Sequence, residues 1–235
     1  MKALSRLLAT GAVAGTMLLA AAIPASATPA QANYSGESYG YSTATAAKQA
    51  AVNDALASAA AAGFSAAQCR TLGVPTAYRD DLGAPRTVRP AAALLPPPGS
   101  VWDGSAQVQC LTQPVAGTVA LERYYGQEHL SGTGATPAGY YLESSLGWLY
   151  TGQVAGTHAL YACKVWNSTD TFTSVAGNCE GQQYVAQLGF INDAPPAGLA
   201  SRPVRRCTVN GEHFDSNDLN CEGQFAEGVL GYALN

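Results

Sequence analysis

From Thr118 to the C-terminus, apolar and polar residues alternate in short runs. Three of these runs end on the same step: Leu146-Gly147-Trp148, Leu188-Gly189-Phe190 and Leu230-Gly231-Tyr232. The steps recur every 42 residues, as do His129, Thr171 and His213, each followed by an apolar residue (Leu130, Phe172, Phe214), and Gly139, Gly181 and Gly223. Agreement without gaps marks an internal repeat. Upstream, the stretches 119–124, 158–163 and 202–207 align with small length changes and read as the opening strand of each copy. Strand, turn, short strand, Gly-containing turn and a longer final strand give three or four short strands per copy.

A single copy of this size cannot bury its apolar face, so the copies must pack on one another. Three copies are too few for a propeller, and the pattern predicts a closed, pseudo-threefold barrel of the β-trefoil kind, in which closure removes exposed sheet edges. The Leu and aromatic residues of the closing steps are the expected core layer. Their glycines permit a tight turn or a close backbone approach.

The N-terminal third follows a different pattern. An Ala-rich stretch from Thr43 to Ala62, with Val52 and Leu56 one turn apart, a Ser42 or Thr43 cap and Gly63 just beyond, predicts one helix. Alternation over Tyr34–Tyr41 and Val101–Leu111 predicts strands, so the region reads as a small α+β unit. The Pro/Ala-rich segment 84–100 is a loop inside it. This divides the chain into a leader (1–27), an α+β domain (28–117) and a three-repeat β domain (118–235), with the boundary near Pro114 to Thr118.

The leader is read from Lys2 and Arg6, an apolar run from Leu7 to Ile23, and Ala25-Ser26-Ala27, the pattern of a secretory signal peptide. Ala30-Gln31-Ala32 offers a second cleavage step. No later stretch is long and apolar enough to span a membrane. The formal charge of −4 becomes more acidic once Lys2 and Arg6 are removed, which argues against a nucleic-acid partner. Few charges and much Ala and Gly match the composition of secreted actinobacterial proteins.

Six cysteines with no C-x-x-C pair in an exported chain point to disulfides. The pentapeptide NCEGQ occurs at 178–182 and at 220–224, and Cys163 and Cys179 hold the same repeat positions as Cys207 and Cys221. The economical pairing is Cys163–Cys179 and Cys207–Cys221, leaving Cys69 with Cys110. The first copy has Tyr124 and Pro137 at these positions and no bridge.

Candidate chemistry is sparse. Gly36-Glu37-Ser38-Tyr39-Gly40 matches the serine-hydrolase elbow, but it lies too near the mature N-terminus to have a sheet and oxyanion loop before it. Glu128-His129 and Glu212-His213 occupy equivalent positions, with Asp170-Thr171 between them. An acid beside a His can bind metal or move a proton, yet neighbours on a strand face opposite sides and equivalent positions of a threefold barrel lie far apart. Glu180 and Glu222 are separated by the same argument, so repeated binding subsites or simple turn roles replace a glycosidase pair. Asp215, Asn217 and Glu222 do not complete a calcium loop. Tyr and Trp side chains, Trp166 among them, suit stacking on sugar rings wherever they reach the surface.

Arg123-Tyr124-Tyr125, Glu128-His129-Leu130, Glu212-His213-Phe214, Glu222-Gly223 and Leu230-Gly231-Tyr232 resemble the tandem repeat of a family of secreted bacterial proteins of uncharacterised function. The resemblance covers 118–235, and the middle copy departs from it at Thr171. It implies an accessory module that binds carbohydrate or cell envelope. The combined expectation is a secreted, monomeric, non-enzymatic binding protein without cofactor or metal, contacting its ligand through Glu128, His129, Glu212, His213 and Trp166. The alternative is an inhibitor of secreted hydrolases, with Arg205-Arg206 or the loop 150–157 as reactive element.

Overall fold

A computed structural model describes residues 31–80 and 101–235. The leader and the 84–100 loop lie outside the described residues. The order is β1 (Gln31–Tyr41), α1 (Ala44–Ala61), β2 (Cys69–Asp80) and β3 (Val101–Leu111), then three units of three strands. Unit one is β4 (Thr118–Tyr125), β5 (His129–Gly132) and β6 (Tyr141–Tyr150). Unit two is β7 (Thr157–Lys164), β8 (Thr171–Ser174) and β9 (Gln183–Asn192). Unit three is β10 (Ser201–Val209), β11 (Glu212–Ser216) and β12 (Phe225–Leu234).

The N-terminal strands lie in the order β1-β3-β2, antiparallel throughout, under α1. Thr43 caps α1, its hydroxyl accepting from the Ala46 N–H at 3.1 Å. The helix buries Ala47, Ala51, Ala55 and Ala59, a stripe of small residues that lets it lie very close to the sheet. A Cβ on Gly36 would sit 2.1 Å from the Ala51 carbonyl oxygen, and one on Gly104 2.4 Å from that of Ala47. The G-x-S-x-G stretch is therefore a packing motif: Ser38 is buried and donates its hydroxyl to the Ala47 carbonyl at 2.6 Å. Strand β2 carries no strong alternation in sequence. Cys69 at its start is bridged to Cys110 on β3, the residue directly opposite.

Within each unit the first strand is central, paired antiparallel to both others. The strands do not close into a trefoil barrel. They join in one mixed, open network of twelve, because each long final strand meets its neighbours at single positions: Leu234 with Trp148, Tyr150 with Phe190, and Tyr232 with Asn192. A barrel needs continuous ladders there. Apolar packing links the units instead, through Leu121, Leu160 and Val204, through Leu146, Leu188 and Leu230, and through Leu149, Ile191 and Ala233.

That core corrects the expected role of the aromatic residues. Trp148, Phe190 and Tyr232 are only half-buried, while the residue after each is fully buried. Leu146, Leu188 and Leu230 are bulged residues: pairing jumps from Gly147 to Ser145, from Gly189 to Gln187 and from Gly231 to Val229. One extra residue reverses the facing of those that follow. The step glycines have φ of 118°, 152° and 149°, where other residues are strained. They also receive the final strand of a neighbouring unit: a Cβ on Gly147, Gly189 or Gly231 would lie 2.6, 2.8 or 2.8 Å from the carbonyl oxygen of Leu234, Tyr150 or Asn192.

Both repeat disulfides, Cys163–Cys179 and Cys207–Cys221, are present. Each holds a short turn in which Cys, Glu and Gly all have positive φ, so the duplicated pentapeptide encodes one strained turn used twice. No described helix is long and apolar enough to cross a membrane.

Candidate functional site

The short strands β5, β8 and β11 converge where the three units meet. His129, Thr171 and His213 line one enclosed cavity there, contrary to the expectation that equivalent positions lie far apart. Ser131, Thr173 and Asp215, a second equivalent set, line it too, around a space of about 10 Å³. Asp215 is buried, accepts from the Thr173 hydroxyl at 2.7 Å, and leaves Oδ2 without a hydrogen bond. Burial pushes its carboxyl upward, opposed by hydrogen bonds from Ser131 and Thr173.

The histidines belong to clusters at the seams between units. At the seam of units two and three, Arg206 Nη1 lies 2.6 Å from Glu180 Oε1 and its Nε 2.5 Å from Glu227 Oε2. The guanidinium sits 5.3 Å from the Phe172 ring centre. His213 stacks on the same ring at 5.2 Å, with Nδ1 2.6 Å from Asp170 Oδ2 and Nε2 3.4 Å from Glu227 Oε1. The seam of units three and one repeats this. Arg123 reaches Glu222 at 2.6 Å and Glu143 at 3.1 Å, and lies 5.6 Å from the Phe214 ring centre. His129 stacks on Phe214 at 5.3 Å, with Nε2 3.4 Å from Glu143.

Electrostatics follow from this crowding. Hydrogen bonds from Arg206 hold the Glu180 carboxyl below the ordinary glutamate range. At Glu222 burial pulls upward, but hydrogen bonds from Arg123 and Ser216 prevail and the carboxyl is lowered. Burial holds the His129 imidazole below its usual value against the pull of Glu143. Glu128 is buried and raised, by desolvation first and then by Asp170.

These clusters place the expected contact residues in context. His129 and His213 have carboxylate partners already, and Glu128 is inside the protein. Glu212 is half-buried at the start of β11. Arg206, one of the candidate reactive arginines, is bound by two carboxylates and the Thr173 carbonyl, an arrangement a protease-facing residue would have to abandon. Among the described residues no group of three or more His, Cys, Asp or Glu is arranged to hold a metal ion.

Trp166 is not part of these clusters and lies in the turn between β7 and β8. It is 58% exposed, and Tyr184 beside the same turn is 53% exposed. The indole N–H donates to the Gly181 carbonyl at 3.2 Å, and the Trp166 backbone N–H donates to the Gln182 side chain at 3.0 Å. Tyr184 rests against Tyr161 with ring centres 6.1 Å apart. Tyr184 is one of the repeat tyrosines expected to suit stacking where they reach the surface, and it lies opposite Cys163 in the β7–β9 pairing, beside the stapled turn. Neither family models, curated proteins nor solved structures yield a match to this chain.

Proposed function

We propose that this is a secreted, monomeric, non-enzymatic protein that binds extracellular carbohydrate or cell-envelope material. The observation that carries the reading is the pair of exposed rings, Trp166 and Tyr184, at a disulfide-stapled turn flanked by Gln182 and Gln183. Flat amphipathic rings stack on the apolar faces of sugars, and neighbouring amides serve the hydroxyls at the ring edge. A rigid turn limits the entropy lost on binding. Three disulfides suit the oxidising compartment that a secretory leader implies. Kinship with the Tyr-rich repeat family is part of the same proposal.

The test is retention of purified protein on insoluble peptidoglycan, chitin and cellulose. Retention on one polymer is expected, weakened about tenfold, or about 1.4 kcal/mol, by Trp166→Ala. Absence of retention on every polymer sinks the reading.

A further inference from the structure

Strand β4 contains a buried carboxyl that the repeat does not require. Glu122 is 0% exposed, yet the equivalent positions in the other units hold Tyr161 and Arg205. Its Oε2 accepts from the Tyr124 hydroxyl at 2.5 Å. Its Oε1 lies 3.1 Å from Arg70 Nε on β2 but receives no directed hydrogen bond. Burial raises this carboxyl, with Tyr124 and Arg70 pulling the other way. Arg70 is 44% exposed on its side chain, which makes it a poor clamp for a buried partner.

Both residues line a cleft of about 410 Å³ between the N-terminal sheet and unit one, a volume typical of small-ligand sites. Its apolar lining includes Leu111, Val119 and the half-buried Trp148. Its polar lining includes Gln68 and Gln113. The carbonyl oxygen of Gln68 is taken up by Ser65, and the amide of Gln113 donates to Thr118. Among the described residues the Gln68 amide and the Gln113 carbonyl have no further hydrogen-bond partner, which leaves one donor and one acceptor beside the opposed charges of Arg70 and Glu122.

We infer that this cleft is a second binding site, taking a single sugar ring or the end of a glycan chain. The pairing of Arg70 with Glu122 leaves little net field for a charged ligand. A donor and an acceptor amide beside Arg70, in one cleft with an indole, match vicinal hydroxyls on a ring with one apolar face. The inference rests on the carbohydrate reading above, and uses residues that the exposed face of unit two does not share.

The experiment uses the full-length mature protein carrying Trp166→Ala, which removes the outer aromatic. N-acetylglucosamine, glucose and their short oligomers are titrated by calorimetry, with tryptophan emission followed in parallel. Saturable binding of one series is expected, weakened at least about tenfold by Arg70→Ala and by Gln113→Ala. These two variants carry the test if Glu122→Gln fails to fold. Saturable binding unchanged by either would place the site elsewhere and overturn the inference. No binding, while the parent protein is retained on a polymer, overturns the cleft and leaves the outer site standing. Failure of both assays removes both.

Discussion

Two of the three seams between units are built alike, and the third is not. Where unit three meets units one and two, an Arg, a His and a Glu from one unit grip a Phe and a Glu from the other. At the seam of units one and two the five equivalent positions are Ala162, Thr171, Val185, Leu130 and Ala138. All five members are absent together. The seam survives because the step glycine, Gly189, and the apolar core are the same there as elsewhere, with a Thr171 hydroxyl donating to the His129 carbonyl at 3.0 Å. Close backbone approach and burial therefore hold the units together, and the charged clusters add to two seams without being required by the third. A charged group left without its partner costs more than the pair contributes, which explains why the members are lost as a set.

The largest effect should come from the feature all seams share. Gly147→Ala, Gly189→Ala and Gly231→Ala each force a Cβ onto a neighbouring carbonyl at strained φ, and each should cost about 3 kcal/mol in denaturant unfolding. A harmless Gly189→Ala would show that the third seam is looser than its glycine implies.

Arg206→Ala should cost about 1 to 2 kcal/mol, discounted because Glu180 is partly exposed. Adding Glu180→Ala should recover part of that loss, since Ala162 and Ala138 already coexist at the third seam. Strict additivity in this cycle would contradict the view that the cluster is a unit.

Acid sharpens the comparison further. Glu180 and Glu222 have folded values below the ordinary glutamate range, so the stability they contribute is complete above that range and is lost as pH falls through their lowered values. In melting curves taken from neutral to acidic pH, the gap between the parent protein and the Arg206→Ala, Glu180→Ala variant should narrow. A gap independent of pH would mean the charges contribute nothing. The smallest effect belongs to Trp166→Ala, which should alter stability by no more than about 0.5 kcal/mol while reducing polymer retention.

Much of this molecule is written locally. The 42-residue period, the helix from its Thr43 cap to Gly63, the strands around the closing steps and the three cysteine pairs follow from spacing and residue type. Such features depend on neighbours a few residues apart, or on copies that must obey the same rules. The burial of Leu149, Ile191 and Ala233 in place of the aromatics was not legible, because a one-residue bulge turns the strand over and alternation alone cannot locate a bulge.

The sites depended on tertiary structure still more. No spacing rule relates Arg206 to Glu180 and Phe172, or brings Arg70 to Glu122 across two parts of the chain. His129 and His213 invited a functional reading because an acid precedes each, yet their partners are Glu143, Glu227 and Asp170, supplied by other parts of the chain. Sequence by itself determined that there are three units and what each contains. How the units meet, with single strand contacts in place of a closed barrel and charges at only two seams, was decided by packing between residues far apart in the chain, where geometry and not spacing selects the partner.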